Sequence, residues 1–348
     1  MTKETKINEK NVDKMLEKQF GEGIIVGAEN VLDKNRVVVP FSPALDLVLN
    51  GGIQEGSSVI ITGRPKVGKT SSALDFAATA QRPEFRNQET GRDRNVYFFN
   101  VEGRLESRDL KGIPGLILDN GRFNVIQSKR GKILSAEEFI EIAETYIKTK
   151  PGDVFIIDSY SQLCTAGEMS AKIGDRYRAD APLLLARFCR RICNTLPVND
   201  SIVIGITHRI ANQGQGMSTW TEASGQKIQY ACHVKLNALY SKSYMKDDTI
   251  IGQEIFWECS TSSLWSGPPP NLKTESLLRY GEGIDKAYEL VMLGPDIGLI
   301  EKSGAWYQFP GGERAQGKEK AASLLREDKD LFDDLYSKFR EMLGYDSQ

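Results

Sequence analysis

Residues Gly63, Arg64, Pro65, Lys66, Val67, Gly68, Lys69, Thr70 and Ser71 have the types and spacing to hold a polyphosphate. Two glycines with four residues between them, followed by Lys and Thr, let successive backbone N–H groups point inward as a nest for phosphate oxygens. Lys69 would reach the β- and γ-phosphates, and the Thr70 hydroxyl would ligate magnesium. The run 58–62 before the loop reads as a buried strand, and 71–78 after it reads as an apolar-faced helix. That context makes ATP with magnesium the expected ligand pair.

Other residues stand where they could complete such a site. Asp158 ends the apolar run 154–158, and a carboxylate at the carboxyl end of a buried strand can hold the magnesium shell through water and Thr70. Glu102 follows the run 96–101. An acid there can orient and deprotonate the water that attacks a γ-phosphate, but a strand-end surface acid has the same spacing, so both readings stay open. His208 closes the run 202–207. Its imidazole would report ATP against ADP through a changed hydrogen bond, while a satisfied strand-end histidine reads identically. The polar stretch 165–180 carries Lys172, Arg176, Tyr177 and Arg178, and the helix 182–196 carries Arg187, Arg190 and Arg191. A second polar stretch, 211–226, adds Met217, Ser218, Thr219 and Trp220. Cations for phosphates and apolar wedges for bases suit a single-strand binder, though a solvated surface has the same composition.

The elements that must position these groups alternate apolar strands with amphipathic helices from residue 57 onward. That pattern predicts an α/β core with a mainly parallel sheet covered on both faces. A helix over 9–20 sets Val12, Met15, Leu16 and Phe20 on one stripe, to be buried on its own domain or on a neighbouring subunit. Extended segments are expected at 24–26 and 37–39, and a surface loop at 82–94. From Leu299 a small strand region around 306–309 and two helices read as a compact C-terminal domain. The expected division is 1–36 for the N-terminal helix and linker, 37–290 for the core and 291–348 for the small domain.

Composition sets bounds on function. An apolar fraction of 40% and a charged fraction of 26% suit a globular protein with a full core. A net charge of −2 gives no global pull toward nucleic acid, so any polyanion surface must be local. No run approaches the ~18 apolar residues of a membrane span, and no apolar signal core opens the chain. Five cysteines without metal-ligand spacing read as reduced, mostly buried thiols, which places the chain in the cytoplasm.

EKQFGEG at 17–23, YGEGI at 280–284, IEKSGAWYQF at 300–309 and QGKEKAASLLRED at 316–328 together resemble the bacterial RecA recombinase family. The resemblance runs over nearly the whole chain, and its C-terminal stretch is not shared by other P-loop ATPases. It implies a RecA-like P-loop ATPase core, an N-terminal polymerisation helix and a small α/β C-terminal domain. Glu102 then falls on the catalytic glutamate, Lys69, Thr70 and Asp158 on the phosphate and magnesium residues, and Tyr280 on an aromatic near the adenine. Residues 165–178 and 211–226 fall on the two loops that grip single-stranded DNA, Arg190 on a basic contact, and Lys302 and Lys318 on a duplex-facing surface. The implied activity is a DNA-dependent ATPase that forms helical filaments on single-stranded DNA and exchanges strands with a homologous duplex. Single-strand-binding and loader proteins are further implied partners, with no membrane involved.

Four departures accompany the resemblance. Leu264 and Ser266 stand where bacterial members place two lysines that reach the neighbouring subunit's ATP, which implies slow turnover unless another cation such as Lys273 substitutes. Glu106 and Asp109 replace an expected adenine-stacking aromatic, the long acidic tail is missing, and 82–94 lengthens the interval before Glu102. His208 replaces the usual glutamine, as in related tailed-phage recombinases. This much drift on an otherwise full-length frame implies a phage or mobile-element version, in the cytoplasm of a bacterium or of an infected host. An ATP-binding filament or accessory protein with little turnover, and a ring helicase sharing the core, remain the alternatives.

Overall fold

A computed structural model describes residues 9–32, 35–172, 180–212, 219–222, 232–263 and 271–345. The chain divides into two compact units, residues 1–36 and 37–348. The first holds helices α1 (Glu9–Phe20) and α2 (Ala28–Leu32). Met15, Phe20, Ile24, Ile25 and Val26 are exposed there, and 24–26 form turns and coil instead of the expected extended segment.

The second unit opens with β1 (Val38–Val39), α3 (Pro43–Leu49) and β2 (Ile53–Gln54), then β3 (Ser58–Gly63) and α4 (Lys69–Ala80). Next come β4 (Val96–Asn100), α5 (Ser107–Lys111), β5 (Phe123–Ile126), α6 (Ala136–Thr149) and β6 (Val154–Asp158). They are followed by α7 (Ala166–Ser170), α8 (Ala181–Asn199), β7 (Ile202–Asn212) and β8 (Thr219–Glu222). Strands β9 (Val234–Lys246), β10 (Thr249–Ser262), β11 (Leu272–Arg279) and β12 (Gly283–Ile284) close the core. The small domain uses α9 (Lys286–Ile297), β13 (Glu301–Ser303), β14 (Trp306–Gln308), β15 (Arg314–Gln316), α10 (Lys318–Glu327) and α11 (Lys329–Met342).

The main sheet runs β12-β11-β10-β9-β3-β7-β6-β4-β5, with β8 added to β7. Strands β9, β3, β7, β6, β4 and β5 pair in parallel, whereas β9 through β12 pair antiparallel. Successive strand residues point to opposite faces, so each strand feeds two cores. Val59, Ile61, Phe98, Val154 and Ile156 pack with α4 and α3 on one face. Ile60, Tyr97, Phe99, Phe155 and Ile157 pack with α6 and α8 on the other. Burial on both faces explains why these strands read as continuous apolar runs. Helix α6 starts where Ser135 and Glu138 cap each other's backbone N–H groups, at 3.3 and 2.9 Å.

A close approach fixes the chain beyond β6. Tyr160 packs so tightly over Gly205 of β7 that a Cβ there would lie 1.9 Å from its ring. The turn that carries Ser159 and Ser161 is thereby pressed onto the sheet. Segment 82–94 is irregular, as expected, but it is not wholly a surface loop. Arg94 is fully buried, bonded to Glu55 at 2.5 Å and to the Gly152 carbonyl at 2.7 Å. Asn87 is buried beside it, donating to Glu55 at 3.1 Å. A buried guanidinium needs such partners, and they pin the segment to the start of β6.

The small domain packs around α9, with Leu277 of β11 joining its core. A charged network sews it to the sheet. Arg279 and Arg326 both donate to Asp285 and to Glu319, and Tyr244 donates to Glu319 at 2.8 Å. Nearby, Asp46 of α3 and Glu289 of α9 are completely buried. Asp46 accepts the Phe41 N–H at 2.6 Å and the Tyr336 hydroxyl at 3.3 Å, and Glu289 accepts the Ala44 N–H at 2.8 Å. Burial pushes Asp46 up to about 7 and Glu289 up to about 8.

Both carboxyls bind protons more tightly folded than unfolded, so stability is greatest where they are protonated and declines as pH rises through those values. Urea unfolding midpoints should therefore fall between about pH 5 and pH 8, and Asp46→Asn should flatten that slope. An unchanged slope in the variant would show that Asp46 is not the group responsible.

Candidate nucleotide site

The parallel register aligns the carboxyl ends of four strands. Gly63 of β3 lies opposite His208 of β7, and Asn100 of β4 lies opposite Asp158 of β6. Ligands of open α/β sheets bind at this edge. The loop from β3 into α4 turns through Lys66 and Gly68, both in the left-handed region at φ 63 and 93. Gly68 is required as well by crowding, since a Cβ would come within 2.7 Å of Ile255 and 2.9 Å of Leu278. Helix α4 begins at Lys69, where the Ser72 N–H takes the Gly68 carbonyl at 2.9 Å, leaving earlier N–H groups at the loop.

Thr70 and Asp158 face each other, the hydroxyl donating to Oδ2 at 2.6 Å. Both are hard oxygen donors, a set that suits magnesium. Lys69 is buried, and its ammonium donates to the carbonyls of Gly63 at 3.2 Å and Arg64 at 2.8 Å. Burial lowers it to about 8, against the attraction of Asp158 and Glu102. Burial raises Asp158, and the Thr70 hydrogen bond opposes that shift.

Glu102 is clasped from several sides. Its Oε1 accepts from the Ser159 hydroxyl at 2.8 Å and contacts His208 Nε2. Its backbone N–H, with that of Val101, donates to the Asp158 carbonyl at 3.1 and 2.9 Å. Arg104 brings a guanidinium nitrogen to 3.7 Å from Oε2. The His208 hydrogen bond, with that of Ser159, holds the Glu102 carboxyl below the usual carboxylate range despite partial burial. The backbone N–H of His208 in turn donates to the Ser161 hydroxyl at 2.8 Å. An ionised carboxylate that touches an imidazole, the latter on the strand next to β3 and its loop, can take a proton from a water.

The structure thus brings Gly63 through Ser71, Glu102, Asp158 and His208 to one sheet edge. Tyr280 is exposed on the turn after β11, with Gly281 packed against Gly112 at the end of α5. Glu106 and Asp109 cap that helix reciprocally. Ser159, Ser161 and Arg104 were not singled out by sequence reasoning. Ser159 directly follows Asp158 and was legible in principle; Arg104 carries no motif.

The expected DNA-contacting residues are dispersed. Lys172 is exposed just past α7, and Arg190 is exposed on α8 with Nε bonded to the Ala186 carbonyl at 3.3 Å. Arg191 instead pairs with Glu144 at 2.6 Å. Lys302 lies over the Tyr307 ring at 5.6 Å, and Lys318 over the Tyr288 ring at 6.0 Å, both on the small domain. The backbone of Thr219 and Trp220 belongs to β8, so part of 211–226 is strand and not loop. Arg176, Tyr177, Arg178, Met217, Ser218, Leu264 and Ser266 lie outside the described residues. None of the five cysteines is in a disulfide, but only Cys189 and Cys259 are buried, so the expectation of mostly buried thiols is corrected. Among the described residues no helix is long and apolar enough to cross a membrane.

Comparison with known proteins gives two family matches. The family model described as RecA N-terminal domain matches residues 7–285, and that described as RecA C-terminal domain matches residues 288–344. "Protein RecA" of Azospirillum lipoferum (strain 4B) is 27% identical over 333 residues, covering 94% of this chain and 87% of that protein. "Protein RecA" of Nocardioides sp. is 28% identical over 332 residues, 94% of this chain and 89% of the relative. "Protein RecA" of Xylella fastidiosa (strain M12) is 28% identical over 331 residues, 94% and 90%.

Asp158→Asn preserves an acceptor for Thr70 while removing a buried charge. In the ligand-free protein at pH 8 it should raise stability by about 1 kcal/mol and weaken magnesium-dependent nucleotide binding. Urea denaturation and nucleotide titration check the pair of effects; a less stable variant would mean that the charge is well compensated without ligand.

Proposed function

The chain belongs to the RecA family, and from that premise we propose an ATP-dependent strand-exchange protein that assembles head to tail on single-stranded DNA. In this reading 1–36 joins neighbouring subunits, 37–290 is the ATPase and DNA-binding core, and 291–348 receives the homologous duplex through Lys302 and Lys318. Residues 165–178 and 211–226, with Arg190, hold the single strand, and ATP lies where two subunits meet.

The triphosphate would occupy the loop 63–71, with Lys69 turning from the Gly63 and Arg64 carbonyls to its β- and γ-oxygens. Thr70 and Asp158 would hold magnesium, which when bound neutralises charge on those oxygens. Glu102 takes a proton from the attacking water as the new bond to the γ-phosphorus forms. The bond to the bridging oxygen breaks with its electron pair passing to ADP. Ser159 and His208 keep the Glu102 carboxylate ionised and aimed.

The single observation that carries the switch is the contact between Glu102 and His208. Strand β7 continues past His208 to Asn212, and β8 pairs back onto it from Thr219 to Glu222. A γ-phosphate that competes for Glu102 or His208 changes a hydrogen bond at the root of the segment expected to grip DNA. Binding then favours the DNA-holding state by the difference in contact energy between ATP and ADP.

DNA affinity measured with ATP, a slowly hydrolysed analogue and ADP should fall sharply in ADP; equal affinity in all three refutes the switch. Lys69→Ala should abolish nucleotide-dependent filaments in negative-stain microscopy, and their retention would move the nucleotide site elsewhere. Closed hexamers in the same images would favour the ring helicase. Leu264 and Ser266, in place of cations, favour the second reading of a filament protein with little turnover. An ATPase rate that does not rise with single-stranded DNA would select it.

A further inference from the structure

Phosphoryl transfer leaves negative charge on the three outer oxygens of the γ-phosphate, and a fixed cation against them is worth ~10³ or more in rate. Lys69 and magnesium grip the triphosphate from the loop side. On the side where water must enter, next to Glu102, the described residues offer Arg104. Its guanidinium lies 3.7 Å from Glu102 Oε2, the oxygen not engaged by Ser159 and His208, and the side chain is 82% exposed.

The turn that presents it is built. Gly103 sits at φ 67, and its N–H donates to the Asn100 carbonyl at 3.3 Å. The Asn100 side chain accepts from the Arg104 N–H at 3.1 Å and the Leu105 N–H at 3.4 Å, while its amide donates to Gln127 at 2.9 Å. Asn100 itself lies opposite Asp158 in the sheet. Glu102 and Arg104 therefore leave one pinned turn at the edge that carries Thr70 and Asp158, and a planar guanidinium with five donors matches phosphate oxygens.

We propose that Arg104 is a catalytic residue supplied by the same subunit, moving from Glu102 onto the γ-phosphate as charge develops. This rests on the nucleotide site proposed above. The chemistry balances as for any hydrolysis, the water proton passing to Glu102 and the electron pair of the broken bond to ADP; Arg104 neutralises charge and exchanges no proton.

The test is steady-state ATP turnover by the full chain with Arg104→Ala and Arg104→Lys, beside binding of ADP and of ADP–aluminium fluoride. Arg104→Ala should lower kcat about 10³-fold with KM little changed. It should also lose affinity for ADP–aluminium fluoride by a similar factor while binding ADP normally. Arg104→Lys should recover part of both. A kcat within twofold of the parent, or equal affinity of parent and variant for ADP–aluminium fluoride, overturns the proposal. So does a variant whose pH–rate profile shifts while its plateau is retained, because Arg104 would then act only by tuning Glu102. Lys69→Ala separates the two levels: loss of turnover there with normal Arg104→Ala sinks Arg104 alone, whereas normal turnover in Lys69→Ala sinks the site itself.

Discussion

Parallel pairing sets Gly63 opposite His208 and Asn100 opposite Asp158, so β7 and β6, lying between β3 and β4, deliver their polar termini at the same end of the sheet. A slip of one residue would turn every buried apolar side chain to the wrong face. With two cores to satisfy, one behind each face, the register is strongly fixed, and the polar termini inherit that precision without needing contacts of their own. Tyr160 over Gly205 extends the same control one turn past β6, where Ser159 and Ser161 reach Glu102 and the His208 backbone.

Charge is distributed unevenly along this edge. Asp158 and Lys69 are held in surroundings that favour their neutral forms, while Glu102 is surrounded by donors that favour its ionised form. Burial sets the direction for the first pair, with their mutual attraction opposing it; hydrogen bonds from His208 and Ser159 set it for Glu102. Such contrast between adjacent groups is the mark of a site tuned for chemistry. A different pair, Asp46 and Glu289, has raised values for a structural reason: they accept backbone N–H groups between α3, α9 and the small domain, remote from any reacting atom.

Much of this was legible in the residues because it follows local rules. The glycine-bounded loop, the apolar runs ending in Asp158 and His208, and the two-helix C-terminal region all declare themselves through spacing. Glu102 and His208 were each ambiguous alone, and their contact follows from the strand order, which neither residue's spacing reveals. Arg94 read as part of a polar loop, since no pattern in 82–94 points to Glu55 or Gly152, its distant partners in sequence. Strand β8 was missed because its sequence, TWTE, lies within a stretch of Gly, Ser and Thr, and its pairing with β7 supplies the order that composition lacks. Arg104 was hidden for the same reason as Arg94. Its position is set by a turn held by the Asn100 side chain, not by its neighbours along the chain.

The network of Arg279, Asp285, Glu319, Arg326 and Tyr244 has a consequence for dissecting the protein by deletion. Arg279 ends a core strand and Asp285 caps α9, yet each also bonds a residue beyond 318, Glu319 and Arg326 respectively. Cutting the chain ahead of α10 would take Glu319 from Arg279 and Arg326 from Asp285, and would bare the apolar flank of α9 and Leu277. The truncated product would fail by misfolding or clumping. Its silence in an assay would say nothing about what the missing piece contributes, so point changes at the outer face of that piece are the sounder surgical tool.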